Sequence, residues 1–273
     1  MNDIAESSQG KIKFMEYAMM DMPQAECPVR HVFMPGLYVR ELTMKAGTFA
    51  IGLYQRFPQV NVFERGKVRI VNADGTTTDL CAPMTFIGQP GQKCGLVLED
   101  TVWLNIYATD ETDIETLEAT YFDKSLSPSP TKMIEDKTAD IEGFKQVLFD
   151  TGYTDDIVRT QSEDETDQIP FPYGAYKIGV FPSPIEGKGI FATADISKNE
   201  IIAPSRIGGK RTPAGRYTNH SETPNAKMVH SDGNIYLMAT RDIKGCLGGC
   251  IGEEVTTDYR DNVNLIRSLP CQE

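Results

Sequence analysis

Three short segments in the last third of the chain constrain its fold more than any other feature. Residues 187–192 read Gly-Lys-Gly-Ile-Phe-Ala, residues 216–225 read Arg-Tyr-Thr-Asn-His-Ser-Glu-Thr-Pro-Asn, and residues 252–259 read Gly-Glu-Glu-Val-Thr-Thr-Asp-Tyr. Each segment alone predicts ordinary local structure, since glycine, serine, proline and asparagine are turn formers. Their order and their separation by about thirty residues make the combination specific.

Together the three segments resemble the SET domain, the fold of S-adenosylmethionine-dependent protein-lysine methyltransferases. That family carries G-x-G, R-F/Y-x-N-H-S-x-x-P-N and G-E-E-hydrophobic-x-x-D-Y runs in this order, and the match covers about residues 178–262. The resemblance implies small β-sheets in which the Asn-His segment passes through a loop made by the end of the chain, a pseudoknot that is rare among folds. It also implies S-adenosyl-L-methionine as cofactor and a lysine-containing protein as substrate.

The resemblance also implies which residues bind the cofactor, namely Lys188, Gly189, Phe191, Tyr217, Asn219 and His220. A glycine at position 189 would let the backbone approach the methionine part of the cofactor, because a side chain would obstruct it. The Asn-His pair would hold the adenine and amino-acid ends. The structural alternatives are a hairpin glycine, a turn asparagine and a buried histidine bonded to backbone.

Tyr259 matches the tyrosine to which the family assigns catalysis. Methyl transfer requires a neutral lysine amine, whose pKa in water is ~10.4, and a nearby sulfonium in a dry site favours that neutral form. A tyrosine hydroxyl can align the amine and its lone pair. The alternative is a core tyrosine on a last strand. Glu253, Glu254 and Asp258 are expected to be structural.

Two departures from the family pattern bear on the substrate and on metals. Residues 203–215 are shorter than the segment that usually builds the peptide groove, so the sequence predicts a minimal SET domain. Glu222 stands where the family has a zinc-binding cysteine, and Cys246, Cys250 and Cys271 are unsuitably spaced. We therefore expect free thiols, in keeping with a reducing compartment, and no metal.

Residues 36–109 show a different pattern of many short apolar runs separated by turn signals, typical of a sandwich or barrel. The strands expected at 60–63 and 68–71 are joined by a turn at 64–66, and those at 96–98 and 102–107 by a turn at 99–100. This pattern resembles a cupin jelly roll.

Metal-binding cupins place a His-x-His and a Glu on the first hairpin, but residues 54–59 read Tyr-Gln-Arg-Phe-Pro-Gln. His31 is expected to be a surface or turn residue, and Glu64 a solvated turn carboxylate. The barrel is therefore predicted to be metal-free, as a structural, oligomerising or binding module.

The predicted fold class is mainly β, with a cupin-like jelly-roll barrel, a minimal SET domain and few short helices. The predicted domains are 1–124 for the barrel with an N-terminal extension, 125–168 for a linker with one helix at about 139–149, and 169–273 for the SET domain. Further short helices are expected at 13–22 and, after a capping box at 112–115, up to residue 122.

The formal net charge of −12 argues against broad binding to nucleic acid or to an anionic membrane. It is compatible with a lysine-rich partner or with simple solubility. Residues 1–9 lack the apolar core of a signal peptide, and no apolar run approaches the ~20 residues of a membrane span. We therefore expect a cytoplasmic protein.

Two function hypotheses follow. The first is methyl transfer from S-adenosylmethionine to a protein lysine. The second rests on the resemblance of a cupin–SET combination to proteins of bacteriophages. Under this second hypothesis the chain is a structural or assembly protein of a bacteriophage, located in the host cytoplasm or in the virion. There the barrel would mediate contacts in a homo-oligomer, and the SET fold would be a non-catalytic scaffold or a cofactor-binding module.

Overall fold

The computed structural model describes residues 19, 22–72, 75–123, 138–246 and 251–268. These residues form two compact units. The first contains the described residues up to 123 together with 173–175 and 246, and the second contains 138–172, 176–245 and 251–268. The serine- and proline-rich segment at 125–130, nearly all of the helix expected at 13–22, and the cysteines at 250 and 271 lie outside the described residues. No helix in the described ranges is long and apolar enough to cross a membrane.

The first unit is built almost entirely from antiparallel strands. Its elements are β1 (Val29–Met34), β2 (Leu37–Met44), β3 (Phe49–Ile51), β4 (Tyr54–Gln55), β5 (Gln59–Val71), β6 (Thr77–Cys81), β7 (Met84–Gly88), β8 (Cys94–Ala108), α1 (Ile114–Tyr121) and β9 (Phe122–Asp123). Residues 174 and 175 of β10 (Gly174–Tyr176) add an edge strand beside β1 in the order β10-β1-β2-β8-β5-β6.

Two long strands, β5 and β8, each change partners halfway along. The first half of β5 pairs with β7 and its second half with β6, while β8 runs beside both halves. The first part of β8 pairs with β3 and its later part with β2. The two strands therefore link all the other strands of a single eight-stranded sheet.

The hairpin expected at 61–68 is wrong, because β5 continues through the predicted turn. Gly66 has φ +97°, and the register against β8 shifts on both sides of it, so the glycine forms a bulge within the strand. A Cβ at this position would lie 2.4 Å from the carbonyl oxygen of Asp100. The turn expected at 99–100 is wrong for the same reason, since β8 is continuous opposite the bulge.

Three further expectations in this unit are corrected. β1 and β6 lie where the sequence predicted no strand, and His31 on β1 is only 2% exposed, so it is not a surface residue. Helix α1 begins one residue later than the capping box predicted, with Asp113 as the N-cap that accepts from the Thr116 amide at 2.9 Å. Glu64 is exposed as expected, although on a strand.

The second unit contains short helices and two four-stranded sheets. Its elements are α2 (Thr138–Thr151), α3 (Asp155–Glu163), a 3-10 turn (Glu165–Asp167), β11 (Ile178–Pro182), β12 (Lys188–Ala192), β13 (Ile201–Ile207), β14 (Lys210–Arg211), α4 (Pro213–Tyr217), β15 (Asn219–His220), β16 (Ala226–Ser231), β17 (Asn234–Ala239), β18 (Glu254–Thr257) and α5 (Tyr259–Ser268). The expected helix at 139–149 is confirmed as α2. The predicted linker also holds α3, which Thr154 caps.

Two four-stranded sheets carry this unit, in the orders β11-β12-β18-β15 and β14-β13-β17-β16. The segment 203–215, expected to be a short insert, begins inside β13 and ends inside α4. Thr212 caps α4 and accepts from the Gly215 amide, while a Cβ at Gly215 would meet the carbonyl oxygen of Ser205 at 2.2 Å. The close contact of Gly215 with Ser205 fixes α4 against β13, and α4 leads directly into β15.

Candidate functional site

One sheet of the second unit brings together the three segments that the sequence singled out. β12 pairs antiparallel with β18, with Ile190 opposite Val255. β15 pairs parallel with the other edge of β18, with Asn219 opposite Thr256 and His220 opposite Thr257. A parallel pair needs a long connection, and here the connection runs through β16 and β17. The glycine loop and the Asn-His pair therefore flank the strand that leads to Tyr259.

Asn219 ties the glycine loop to β18. Its side-chain amide donates to the carbonyl oxygens of Glu186 at 3.2 Å and Lys188 at 3.1 Å, and to Glu254 Oε1 at 2.8 Å. The residue is only 9% exposed. Its two amide hydrogens are thus occupied within the chain and its backbone pairs with β18, so its Oδ1 atom is the part left to contact a ligand.

Gly189 is required by a contact within the protein. A Cβ at this position would lie 2.2 Å from Glu254 Oε1, which also accepts from Ser183 Oγ at 2.8 Å. The sequence assigned this glycine to the approach of a cofactor. In the structure the carboxylate of Glu254 occupies the space that a side chain would need, so Glu254 has the structural role expected of it.

His220 presents a buried polar atom without a partner. The ring is 1% exposed, and Nδ1 accepts from the backbone N–H of Tyr259 at 3.3 Å. Burial lowers the pKa of His220, against the opposing effect of Asp258, whose carboxylate lies 3.8 Å from Nδ1. The ring is therefore neutral at pH 7, and because Nδ1 accepts, Nε2 carries the proton. Nε2 has no hydrogen-bond partner in the described part of the chain.

Tyr259 is the first residue of α5 and packs against His220, with their ring centroids 5.5 Å apart. The ring centroid of Phe144 on α2 lies 5.8 Å from that of Tyr259, in a T-shaped arrangement. The Tyr259 hydroxyl donates to the carbonyl oxygen of Thr218 at 2.9 Å. Burial raises the pKa of Tyr259 to about 12, so the phenol stays protonated at neutral pH. With its hydrogen directed at Thr218, the phenol oxygen offers lone pairs and no donor.

The remaining predicted residues lie on the strands and helix beside this pair. The Lys188 ammonium lies 5.7 Å from the centre of the Tyr217 ring, and the Arg216 guanidinium lies 4.9 Å from the same ring. Phe191 is buried and packs edge-on against Phe181 at 5.9 Å. The structure thus brings the predicted site residues into one region of the second unit.

Some residues that shape this region escaped sequence reasoning. Ser183 and Thr218 hold Glu254 and Tyr259 through the hydrogen bonds given above, and Asp140 accepts from Ser221 Oγ at 2.7 Å and from the Glu222 amide at 3.2 Å. Thr218 lies within the 216–225 segment, so its place in that motif could have indicated that it belongs to the site. Ser183 and Asp140 lie in segments without distinctive composition, and only the fold brings them here.

In the described ranges no three His, Cys, Asp or Glu side chains converge as metal ligands require. A polar pocket of about 220 Å³ lies beside the candidate site and is lined by Ser221, Thr223, Asn225, Arg241, Glu253, Glu254 and Thr256. Its lining shares Ser221 and Glu254 with the hydrogen bonds described above.

Comparison with known proteins gives fold information for part of the chain. No family model and no curated protein matches the sequence. The N-terminal third is similar to solved cupin-like structures. They include KdgF from Halomonas sp. (17% identity, TM-score 0.24, 29% of this chain and 77% of that chain) and an RmlC-like cupin from Shewanella frigidimarina (18%, 0.25, 31% and 84%). A third is ectoine synthase from P. lautus (15%, 0.27, 32% and 67%).

These identities and scores carry no inference about what this chain does. The predicted fold class, mainly β with few short helices, is confirmed by the strands themselves. The SET resemblance and the phage relationship remain predictions.

Proposed function

We propose that the second unit binds S-adenosylmethionine and transfers its methyl group to a lysine side chain of a partner protein. The observation that carries the proposal is the unpartnered, fully buried Nε2–H of His220 beside a tyrosine whose hydroxyl is already oriented. An unsatisfied buried donor costs about 1–3 kcal/mol. A bound ligand that accepts a hydrogen bond from His220 Nε2–H would offset that cost.

His220, Tyr217 and Lys188 fit the cofactor better than Asn219 and Gly189 do. His220, Tyr217 and Lys188 offer a buried donor, an aromatic face and an exposed cation. Asn219 would contribute its Oδ1, since its amide hydrogens are engaged and its backbone pairs with β18, and Phe191 would support β12 from the core. Gly189 makes room for Glu254, so its role toward the cofactor is limited to backbone groups.

When bound, S-adenosylmethionine supplies an electrophilic methyl group on a sulfonium. Tyr259 then orients the acceptor amine. Because its hydrogen points to Thr218, its oxygen can accept an N–H of a neutral lysine amine and direct the nitrogen lone pair away from the phenol. With a pKa of about 12, Tyr259 is a positioning group and not a base at neutral pH. The lysine proton therefore leaves to water before transfer.

The partner proposed is a lysine-bearing protein of basic character. The chain's net charge of −12 favours encounter with a positively charged surface, since long-range attraction raises association rates at low salt.

The test is calorimetric titration of the whole protein with S-adenosylmethionine. We expect saturable binding that is weakened at least ten-fold by His220→Ala and unchanged by His230→Ala, a matched control because His230 is exposed on β16. Circular dichroism checks that both variants are folded. Absence of binding by the wild-type protein, or equal binding by both variants, would overturn the proposal.

The role of Tyr259 is tested separately by Tyr259→Phe. We expect cofactor binding to persist and transfer of a radiolabelled methyl group to poly-L-lysine to fall at least ten-fold, because the ring remains while the orienting oxygen is lost. Tyr173→Phe is the control, since Tyr173 is half exposed and belongs to the first unit. Equal transfer by wild type and Tyr259→Phe would remove the assigned role.

A second candidate function is a scaffold in a bacteriophage virion or its assembly, with no turnover. It is favoured by one observation, the internal satisfaction of Asn219 and the filling of the Gly189 position by Glu254, which complete the fold without a cofactor. This candidate predicts a defined homo-oligomer by light scattering, with the same mass in the presence and absence of S-adenosylmethionine. A monomer at all concentrations would contradict it.

A further inference from the structure

Residues 155–169 of the second unit form a strap that is exposed along α3 and anchored at its C-terminal end. The strap comprises α3, the 3-10 turn and two further residues. Every described side chain of α3 except that of Val158 is exposed, so this helix buries little apolar surface. Six acidic residues against one arginine make the strap acidic, and polar contacts at its end hold it on the protein.

Two arginines bind the end of the strap through Asp167. Asp167 Oδ2 accepts from Arg211 Nε at 2.8 Å, and Asp167 Oδ1 lies 3.5 Å from Arg206 Nη1. The Arg211 guanidinium also donates to the carbonyl oxygen of Gln161, and the Arg211 carbonyl accepts from the Ile169 amide at 2.8 Å. The end of the strap is therefore fixed against β13 and β14 by one carboxylate and by backbone groups.

A third arginine connects the strap to the candidate site. Gln168 Oε1 accepts from Arg216 Nη1 at 2.5 Å. The central carbon of the same guanidinium lies 4.9 Å from the centre of the Tyr217 ring, and the Lys188 ammonium lies 5.7 Å from that centre. Gln168 thus holds a cation against the aromatic side chain that would offer its face to the cofactor.

The cation on Tyr217 and the cofactor compete for the same ring. An aromatic ring attracts a cation that lies within about 6 Å of its centre, through the negative face of its quadrupole. S-adenosylmethionine carries a fixed positive charge on its sulfonium. Arg216 in this position both covers the Tyr217 ring and repels the sulfonium, since the two charges have the same sign.

We propose that the strap is an autoinhibitory latch, in which Gln168 holds Arg216 against Tyr217 and so lowers the affinity for S-adenosylmethionine. This inference rests on the function proposed above and adds its regulation. When Gln168 moves away, the Arg216 side chain regains rotamer freedom and turns to solvent, because arginine has a long side chain with many rotamers. The Tyr217 ring is then open to the sulfonium.

The test compares two glutamine-to-leucine variants of the whole protein by calorimetric titration. Gln168→Leu removes the acceptor of Arg216 and should bind S-adenosylmethionine about three-fold more tightly than the wild type, the scale of one exposed cation–π contact. Gln161→Leu is the matched control and should bind as the wild type does, because Gln161 contacts Arg211 through its backbone oxygen and its side chain is exposed. A merely structural strap predicts the opposite sign, since its loss would loosen the site and weaken binding.

Two further titrations show whether the effect passes through Arg216. Arg216→Gln should tighten binding as much as Gln168→Leu does, and the double variant should bind no more tightly than either single variant. S-adenosylhomocysteine, which lacks the sulfonium charge, should bind the wild type and Gln168→Leu with nearly equal affinity. Additive effects in the double variant, or equal tightening for both ligands, would overturn the competition at Tyr217.

Hydrogen–deuterium exchange without cofactor tests the attachment of the strap by itself. Asp167→Asn should raise exchange across residues 161–169, because it weakens the contacts with Arg206 and Arg211. Glu165→Gln removes an exposed carboxylate of the same strap and should leave exchange unchanged. Unchanged exchange in Asp167→Asn would overturn the latch.

The titrations separate this inference from the proposed function. Binding of S-adenosylmethionine by the wild type, with equal or weaker binding by Gln168→Leu, would overturn the latch and leave the proposed function standing. Binding by neither protein would overturn both.

Discussion

The two units assemble their buried polar groups in opposite ways. In the first unit His31, Arg40, Asn105 and Asn61 share one row of an antiparallel sheet, so strand register alone makes them neighbours. In the second unit the polar groups come from distant segments joined by a two-residue parallel pairing of β15 with β18. The first arrangement is a consequence of alternation, which any sheet has. The second depends on particular side chains, above all Asn219 and Glu254.

The difference shows in how each unit uses glycine. Gly66 bends a long strand and shifts its register, so it shapes a whole sheet. Gly189 makes room for a single carboxylate that two side chains hold. The strand geometry around Gly66 shapes the interior of the first unit. The hydrogen bonds of Glu254 to Ser183 and Asn219 stabilise the interior of the second unit. The following predictions test that distinction, from the largest expected effect to the smallest.

Gly66→Ala should destabilise the first unit by about 3 kcal/mol, since it adds both a disfavoured positive φ and a clash with backbone. Gly36→Ala is the control, because Gly36 has φ +74° but nothing within 4 Å of its Cβ position, and about 1 kcal/mol is expected. Urea denaturation followed by the fluorescence of Trp103, the chain's single tryptophan, measures both. Equal losses would show that the bulge is not under steric constraint.

Acid should lower the free energy of unfolding of the first unit, because His31 is buried there in its neutral form. Its pKa is about 3 in the folded state and ~6.5 when unfolded, so below pH 6.5 the unfolded chain takes up a proton that the folded chain does not. Stability is therefore complete above pH 6.5 and falls by about 1.4 kcal/mol per pH unit toward pH 3.

The matched variant for this effect is His31→Gln, which keeps a polar partner for Tyr38 and does not titrate. Between pH 6.5 and 4.5 the wild-type protein should lose about 2 to 3 kcal/mol more than the variant. Parallel acid dependence of the two proteins, measured by urea denaturation at each pH, would contradict the burial of a neutral His31.

Gly189→Ala should destabilise the second unit by about 2 kcal/mol, because the new methyl group displaces the Glu254 carboxylate from Ser183 and Asn219. Gly187→Ala, with φ +47° and open space around it, should cost about 1 kcal/mol. Hydrogen–deuterium exchange of β12 and β18 should rise in the first variant. Unchanged exchange there would mean that the Glu254 network does not hold this sheet together.

The smallest effect distinguishes two neighbouring residues at the start of α1. Asp113→Ala should cost about 1 kcal/mol, because it removes the N-cap bond to the Thr116 amide. Thr112→Val should be nearly neutral, since the Thr112 hydroxyl is buried without a partner in the described residues. The reverse order in thermal denaturation would support the capping box that the sequence predicted.

Several local features were predictable because their cause is local. The apolar runs at 37–42, 84–87 and 102–107 became strands, and the helical spacing of 139–149 became α2. The three motif segments were predicted to act together, and the sheet does join them. The boundary at 64–66 failed, because a glycine that ends a strand and a glycine that bulges one have the same local composition. The boundary at 99–100 failed because β8 continues opposite that bulge.

The sequence by itself determined the mainly β character and the strand alternation, because these depend on residue type and spacing along the chain. The resemblance of its three motif segments to a known family indicated that they would meet around His220 and Tyr259. Only the tertiary structure decided that His31 is buried, that Glu254 occupies the space beside Gly189, and that Arg40 Nε and Gln59 Oε1 are buried with no hydrogen-bond partner among the described residues. Burial and hydrogen-bond satisfaction are properties of contacts between distant segments. No pattern of neighbouring residues encodes which of these contacts is left incomplete.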